Sequence, residues 1–254
     1  LFDFMSAYGG NSMVGALRRV MVCAPKDNGW MRRERLAEWK QLGYGHEPNG
    51  AVAQAQHEAM RRELEAADVE VIVHPVCGGG ATMDAVYVHD PSLMTDWGAI
   101  CMRMGKSERN AEPTAQAAMY EALEIPLMGE MMEMTETGTA ESGDMVWLEG
   151  KTLLVGRGYR TNAAGIEQLR GLLEPKGVQV IAAPLPHVGG PALCLHLMSL
   201  MSMLDEQTVL VDMEWLAVET VELLRERGFR FVEIAAEERA TLSCNVLSLG
   251  DGRL

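Results

Sequence analysis

The five cysteines of the 254-residue chain (Cys23, Cys77, Cys101, Cys194 and Cys244) include no C-x-x-C pair. Their odd number and wide spacing argue against a disulfide framework or a zinc ribbon, and point to a reducing, cytoplasmic setting. Basic side chains are scarce: 22 Lys and Arg against 36 Asp and Glu give a formal net charge of −14. That deficit argues against a nucleic-acid partner, which needs clustered Lys and Arg. No apolar run is long enough to span a bilayer, the longest being "LCLHLMSLMSML", so no membrane partner is expected. The N-terminal residues lack the basic, apolar and small-residue order of a signal peptide. No Pro/Ser-rich stretch divides the chain, which reads as one domain over residues 1–254.

Several catalytic signatures are missing as well. "RMGKS" has Ile100 where a phosphate loop requires glycine, and "GRGYRTN" lacks the third glycine of a dinucleotide fingerprint. There is no G-x-S-x-G and no H-E-x-x-H. Cys194 and His196 share one face of an expected strand, but two metal ligands need partners. "MGEMMEMTE" offers thioethers to Cu(I), yet methionine is plentiful throughout and fills cores. No metal and no cofactor is expected.

What remains is an ordinary globular composition, 48% hydrophobic and 23% charged. The acidic surplus suits a small cationic ligand, which an acidic cleft concentrates. Four segments share one design: "RRELEAADVEVIVHPV", "MYEALEIPLMGEM", "QLRGLLEPKGVQVIAAPL" and "VELLRERGFRFVEIA". Each begins with apolar positions at helical spacing, turns, and then alternates like a strand. The strands are expected near Val69, Ile125, Val178 and Phe229, a period of about fifty residues. "LRRVMVCAP" adds a strand at the start, "MVWLEGKTLLVG" reads as a hairpin, and "AVYVH", "LCLHLMSL" and "NVLSLG" read as short strands. A chain of this length holds about five such units. The expected fold is α/β, a closed radial arrangement with helices outside and loops meeting at a central channel.

Polar residues gather where strands begin or end. Asp84 and Asp90 bracket "AVYVH", Glu141 and Asp144 lie in "ESGD" before "MVWLE", His196 sits within "LCLHLMSL", and Cys244 opens "NVLSLG". Singly, each reads as a cap, a turn or a core residue. Together they offer a thiol, an imidazole and several carboxylates. Carboxylates oppose the ionisation of a nearby cysteine unless a cation lies among them. A guanidinium substrate resolves that conflict, being planar, permanently charged and matched to carboxylate pairs.

"DAVYVHDPSLMTD", "ESGDMVWLEGKTLLVGRGYRTN", "CLHLMSL" and "LSCNVLSLG" resemble, in order and spacing, the guanidine-modifying (amidinotransferase, or pentein) superfamily, closest to its dimethylarginine dimethylaminohydrolase branch. The resemblance runs from about residue 17 to the end and implies a five-bladed α/β propeller of ββαβ repeats. It implies that Cys244 attacks the guanidinium carbon. His196 would protonate the leaving amine and then activate water on a thiouronium intermediate. Glu141 and Asp90 would hold the guanidinium nitrogens, Asp84 the substrate α-amine, and Arg109 and Arg160 its α-carboxylate. Ser142 stands where the family's E-G-G-D element has glycine, and His89 occupies a position that differs between branches. "HLMS" lacks the second acid that arginine deiminases carry after their histidine, which favours a substituted guanidine. The implied activity is hydrolysis of an Nω-methylated arginine to citrulline and an alkylamine, without cofactor, in a chain that could form a homodimer. The alternatives are arginine deiminase, arginine dihydrolase or amidinotransferase chemistry, and a non-catalytic binding protein on the same fold.

Overall fold

The computed structural model describes residues 8–74, 81–131 and 137–254. Cys77 and residues 132–136 of the methionine-rich stretch lie outside the described residues. The architecture is α/β with mixed sheets. Strand β1 (Arg19–Val22) pairs in parallel with β2 (Glu70–Val73), and helix α1 (Gly50–Ala66) connects them. Three further sheets repeat one pattern, an antiparallel hairpin, a helix, then a strand parallel to the second hairpin strand. The first contains β3 (Ser92–Thr95), β4 (Gly98–Cys101), α2 (Glu112–Ala122) and β5 (Leu127–Glu130). The second contains β6 (Met145–Glu149), β7 (Thr152–Arg157), α3 (Ala163–Leu173) and β8 (Gln179–Pro184). The third contains β9 (Met201–Asp205), β10 (Thr208–Val211), α4 (Val218–Glu226) and β11 (Arg230–Glu233).

The helix-then-strand segments thus form as their spacing predicts, and local chemistry sets their ends. Asn49 caps α1 by accepting from Val52 N, and Asn162 caps α3 by accepting from Gly165 N. Gly177 and Gly228, both at φ 80°, reverse the chain ahead of β8 and β11, a conformation that other residues adopt at a cost. Alternation along β6 and β7 feeds two cores. Met145, Trp147, Leu153 and Val155 join Ile166 and Leu169 of α3, whereas Val146, Leu148 and Leu154 join Leu197, Val209 and Leu224. This sheet is therefore covered on both faces, which anchors the loops at its ends.

The expectation was about five units, and the described residues form four sheets. Three expected strands differ in form. "AVYVH" runs through a 3₁₀ turn over Met83–Val86, whose first N–H groups include Asp84 N, taken by the Thr82 hydroxyl. "LCLHLMSL" is a 3₁₀ turn over Leu197–Ser199, because side chains take the donors that a ladder would use. Ser199 Oγ accepts from His196 N and Asp144 Oδ1 accepts from Leu197 N. "NVLSLG" forms no ladder; it lies beside the entry to β1, where Leu17 N donates to Leu249 O.

Candidate active site

Each of the three ββαβ units delivers one polar residue just before its first strand. Asp90 precedes β3 through Pro91, Glu141 precedes β6 through a 3₁₀ turn over Ser142–Asp144, and His196 precedes β9. Equivalent positions in a repeat converge, so one ligand atom from each of Asp90, Glu141 and His196 lies within 4.8 Å of the others. His196 Nε2 is 2.8 Å from Glu141 Oε2. Backbone bonds tie the first two loops together, with Ser142 N donating to Asp90 O. His89 reaches the same loop, its Nε2 lying 3.1 Å from Ser142 O.

Gly143 occupies the closest approach in this cluster. A Cβ there would lie 2.6 Å from His196 Nδ1 and 2.8 Å from Asp90 Oδ1. Gly143→Ala must therefore push the imidazole or the carboxylate aside. Since a misplacement of about 1 Å costs on the order of 100-fold in rate, kcat/KM of this variant should fall by about that factor. A steady-state assay beside a melting curve checks this, and unchanged kcat/KM would show that the approach is irrelevant to turnover.

The electrostatics follow from burial and close charges. Burial works against the Glu141 carboxylate, but hydrogen bonding and charge from His196, with Arg160 and Arg109, outweigh it and hold the group at about 2. Burial would discharge His196; its contacts with Cys194 and Glu141, and the charges of Asp144 and Asp90, instead raise it well above its ordinary value. The pair is thus carboxylate and imidazolium at neutral pH. Asp144 is pushed up to about 6 by burial, against the pull of His196, the Thr161 hydroxyl and Leu197 N. Its two bonds, to Thr161 Oγ1 (2.6 Å) and Leu197 N (3.0 Å), clamp the backbone that presents His196.

The remaining expected residues divide into those attached to the cluster and those apart from it. Arg109 is buried; its Nη1 donates to Asp90 Oδ2 (2.5 Å) and its Nε and Nη2 to Glu112, with Nη2 also on Tyr87 O. Arg160 Nη1 donates to Glu141 Oε2 at 3.1 Å. Asp84 is buried and accepts from Lys106 Nζ (2.6 Å) and the Tyr44 hydroxyl (2.9 Å). Cys244 stands apart. Its side chain is fully buried, and burial, then the charge of Asp212, push its thiol up to about 11 against a backbone bond from Asp212 and the charge of Arg239. The thiol beside the imidazole is that of Cys194, with Sγ 4.0 Å from His196 Nδ1. That residue is exposed, and its sulfur lies against the buried imidazole. Burial opposes the Cys194 thiolate, but the contact and charge of His196 prevail and lower its pKa.

Sequence reasoning did not single out Glu112, Lys106 or Tyr44. Glu112 lies three residues after Arg109, a spacing that brings side chains together on a helical turn. Lys106 and Tyr44 carry no comparable signal, since they meet Asp84 across 22 and 40 residues. Asp90, Glu141 and His196 could hold a metal ion by their spacing. A cation there would have to displace the guanidinium groups of Arg109 and Arg160, which already occupy the two carboxylates.

Repeated ββαβ units that bring two carboxylates and an imidazole together from their strand ends define a protein of the guanidine-modifying, pentein class. The chain belongs to the arginine deiminase family, which it matches over residues 82–248. It is 38% identical to an N(G),N(G)-dimethylarginine dimethylaminohydrolase of Streptomyces coelicolor over 127 residues, 50% of this chain and 45% of that protein. It therefore spans under half the length of that relative. The enzyme of the same name from Pseudomonas aeruginosa is 29% identical over 197 residues, 78% of this chain and 71% of the other. A crystal structure of a cysteine-to-serine mutant of the Pseudomonas aeruginosa enzyme with citrulline superposes with a TM-score of 0.72 at 26% identity, covering 92% of this chain and 82% of that one. The N-terminal domain of a cyanobacterial arginine dihydrolase shares the fold, with a TM-score of 0.74 at 17% identity over 92% of this chain and 81% of its own.

Proposed function

We propose that this protein is a cysteine-dependent amidine hydrolase that converts an Nω-methylated arginine to citrulline and an alkylamine. The observation that carries the reading is the His196–Glu141 pair, 2.8 Å apart, beside the Asp90 carboxylate. Both carboxylates bind guanidinium groups of the chain itself, Arg109 on Asp90 and Arg160 on Glu141, so a substrate guanidinium would have to share these carboxylates with the two arginines or exchange with them. The near-terminal motif assigns the nucleophile to Cys244, which rests against Asp212. Bringing its sulfur to the guanidinium carbon is therefore the step that substrate binding has to drive.

In that step the Cys244 thiol, held at about 11 before substrate binds, gives its proton to solvent as the substrate cation arrives, and the thiolate forms a C–S bond. The C–N bond to the methylated nitrogen then breaks, with a proton from the His196 imidazolium passing to the leaving amine. The neutral imidazole next takes a proton from water, whose oxygen attacks the thiouronium carbon. The C–S bond breaks to return the thiolate, the intermediate's hydroxyl loses its proton to solvent to form the citrulline carbonyl, and the amine released earlier takes up one proton from solvent as its ammonium. Asp84, Arg109 and Arg160 fall to the amino-acid end of the substrate by the resemblance. Cys101, Cys194 and Cys244 form no disulfide, which supports a reducing, cytoplasmic setting. No described helix is long and apolar enough to cross a membrane.

The test is citrulline release from asymmetric dimethylarginine and from arginine in parallel, with Cys244→Ser as control. Turnover of the methylated substrate, lost in the variant, is the expected result. Turnover of arginine alone would move the protein to deiminase chemistry, and undiminished turnover in Cys244→Ser would remove that residue as the nucleophile. Silence on both substrates would overturn the reading.

A further inference from the structure

We propose that Lys106 is a specificity-determining residue that occupies Asp84 and takes the carboxylate of the substrate, so that ω-guanidino acids without an α-ammonium bind at least as well as their amino-acid counterparts. The inference rests on the proposed reading for the guanidinium end and redefines the other end of the ligand.

Asp84 is the acid that would otherwise bind an α-ammonium, and it has a resident one. Lys106 Nζ lies 2.6 Å from Asp84 Oδ2, and the Tyr44 hydroxyl lies 2.9 Å from Asp84 Oδ1. The acid is buried and the lysine side chain nearly so. Displacing Lys106 would break a buried ion pair and its bond to Leu42 O at 2.6 Å, so a substrate ammonium gains only an exchange of partners. An ammonium has three N–H donors; Asp84 and Leu42 O take two of those of Lys106. No third acceptor meets Nζ among the described residues, and in the proposed role that donor meets the substrate carboxylate.

Lys106 is also fixed relative to the reacting end. Its backbone N donates to Glu141 Oε1 at 3.0 Å, the carboxylate whose other oxygen meets His196. The arginines expected at the substrate carboxylate are already engaged by protein carboxylates, Arg109 by Asp90 and Glu112, and Arg160 by Glu141. Lys106 thus places a positive charge beside Asp84, on a residue whose own backbone touches the Glu141 carboxylate.

The experiment is calorimetric binding of arginine and of 5-guanidinopentanoate, its analogue without the α-amine, to the full chain and to Lys106→Met and Lys106→Arg. In the unmodified protein 5-guanidinopentanoate should bind within threefold of arginine or more tightly. Lys106→Met frees Asp84 and removes the carboxylate partner, so the preference should invert by about tenfold or more, the scale of one charge-assisted bond. Lys106→Arg keeps a cation there and should keep the original preference. The readout is a ratio within each variant, which partial loss of folded protein does not alter. Arginine binding tenfold more tightly in the unmodified protein, with Lys106→Met leaving the ratio in place, would overturn the role of Lys106 and leave the proposed hydrolase intact. Failure of both ligands to bind would overturn the guanidinium site itself, and the role of Lys106 with it.

Discussion

Glu141→Gln is expected to lower kcat by about 10²- to 10⁴-fold, the range that a positioned general acid and base contributes. The replacement keeps the shape of the side chain and removes its charge. His196 then loses the carboxylate 2.8 Å from Nε2, which helps hold its imidazolium against burial. Its pKa should drop, and at neutral pH the proton needed by the leaving amine is gone. The alkaline limb of the kcat profile should therefore move to lower pH in the variant, a change that a purely structural role would not produce. The same pair bears on stability. Glu141 is held at about 2, below its ordinary 4.5, so its contribution is complete above 4.5 and is lost as pH falls through about 2. His196 is raised above its ordinary 6.5, so its contribution is complete below 6.5 and is lost as pH rises through the raised value. The stability gap between the parent and the variant should be widest between pH 4.5 and 6.5. Denaturant melts across pH, beside kcat profiles, test both halves; a kcat profile that keeps its limb would separate Glu141 from the proton transfer.

Periodicity carries the scaffold into view before any coordinates do. "QLRGLLEPKGVQVIAAPL" states a helix, a turn and a strand, and all three occur, with Gly177 at φ 80° making the turn ahead of β8. The same reading misjudges "LCLHLMSL", because an apolar run says nothing of which side chains will capture its N–H groups. Asp144 and Ser199 do so, and a turn forms where alternation predicts a strand. Asp90, Glu141 and His196 were legible together for a topological reason: they hold equivalent places ahead of the first strand in successive repeats. Their partners were not. Lys106, Tyr44 and Asp84 meet only because separate loops pack together, and no local pattern records that contact. Cys244 shows the limit from the other direction. Its motif is readable in the chain, while its burial against Asp212 depends on how the C-terminal segment lies.

Arg109→Met should destabilise the fold by about 3–5 kcal/mol, the usual consequence of removing one partner from a buried ionic group. Arg109 spans three acceptors at once: Asp90 at 2.5 Å, Glu112 at 2.7 Å and the Tyr87 carbonyl at 2.9 Å. Glu112 is the sharper liability, since burial already pushes its carboxyl up against the pull of Arg109. Without that guanidinium its carboxyl should be pushed up further by burial, and Asp90 loses its own hydrogen-bonding partner. At about 2–4 °C per kcal/mol for a chain of this size, the melting temperature should drop by roughly 10 °C. The deficit should narrow on acidification: a raised carboxyl costs stability as pH climbs from its unfolded value of 4.5 through its folded one, and costs least below 4.5. Arg109→Lys retains the charge but not the planar fork, so it should fall between the parent and the methionine variant. These outcomes separate two roles for one residue. A side chain that only grips a substrate carboxylate would raise KM and leave the melting temperature alone, whereas the fork between Asp90 and Glu112 predicts that both move together, because the same guanidinium that holds the fold also aims the carboxylate meant for the substrate.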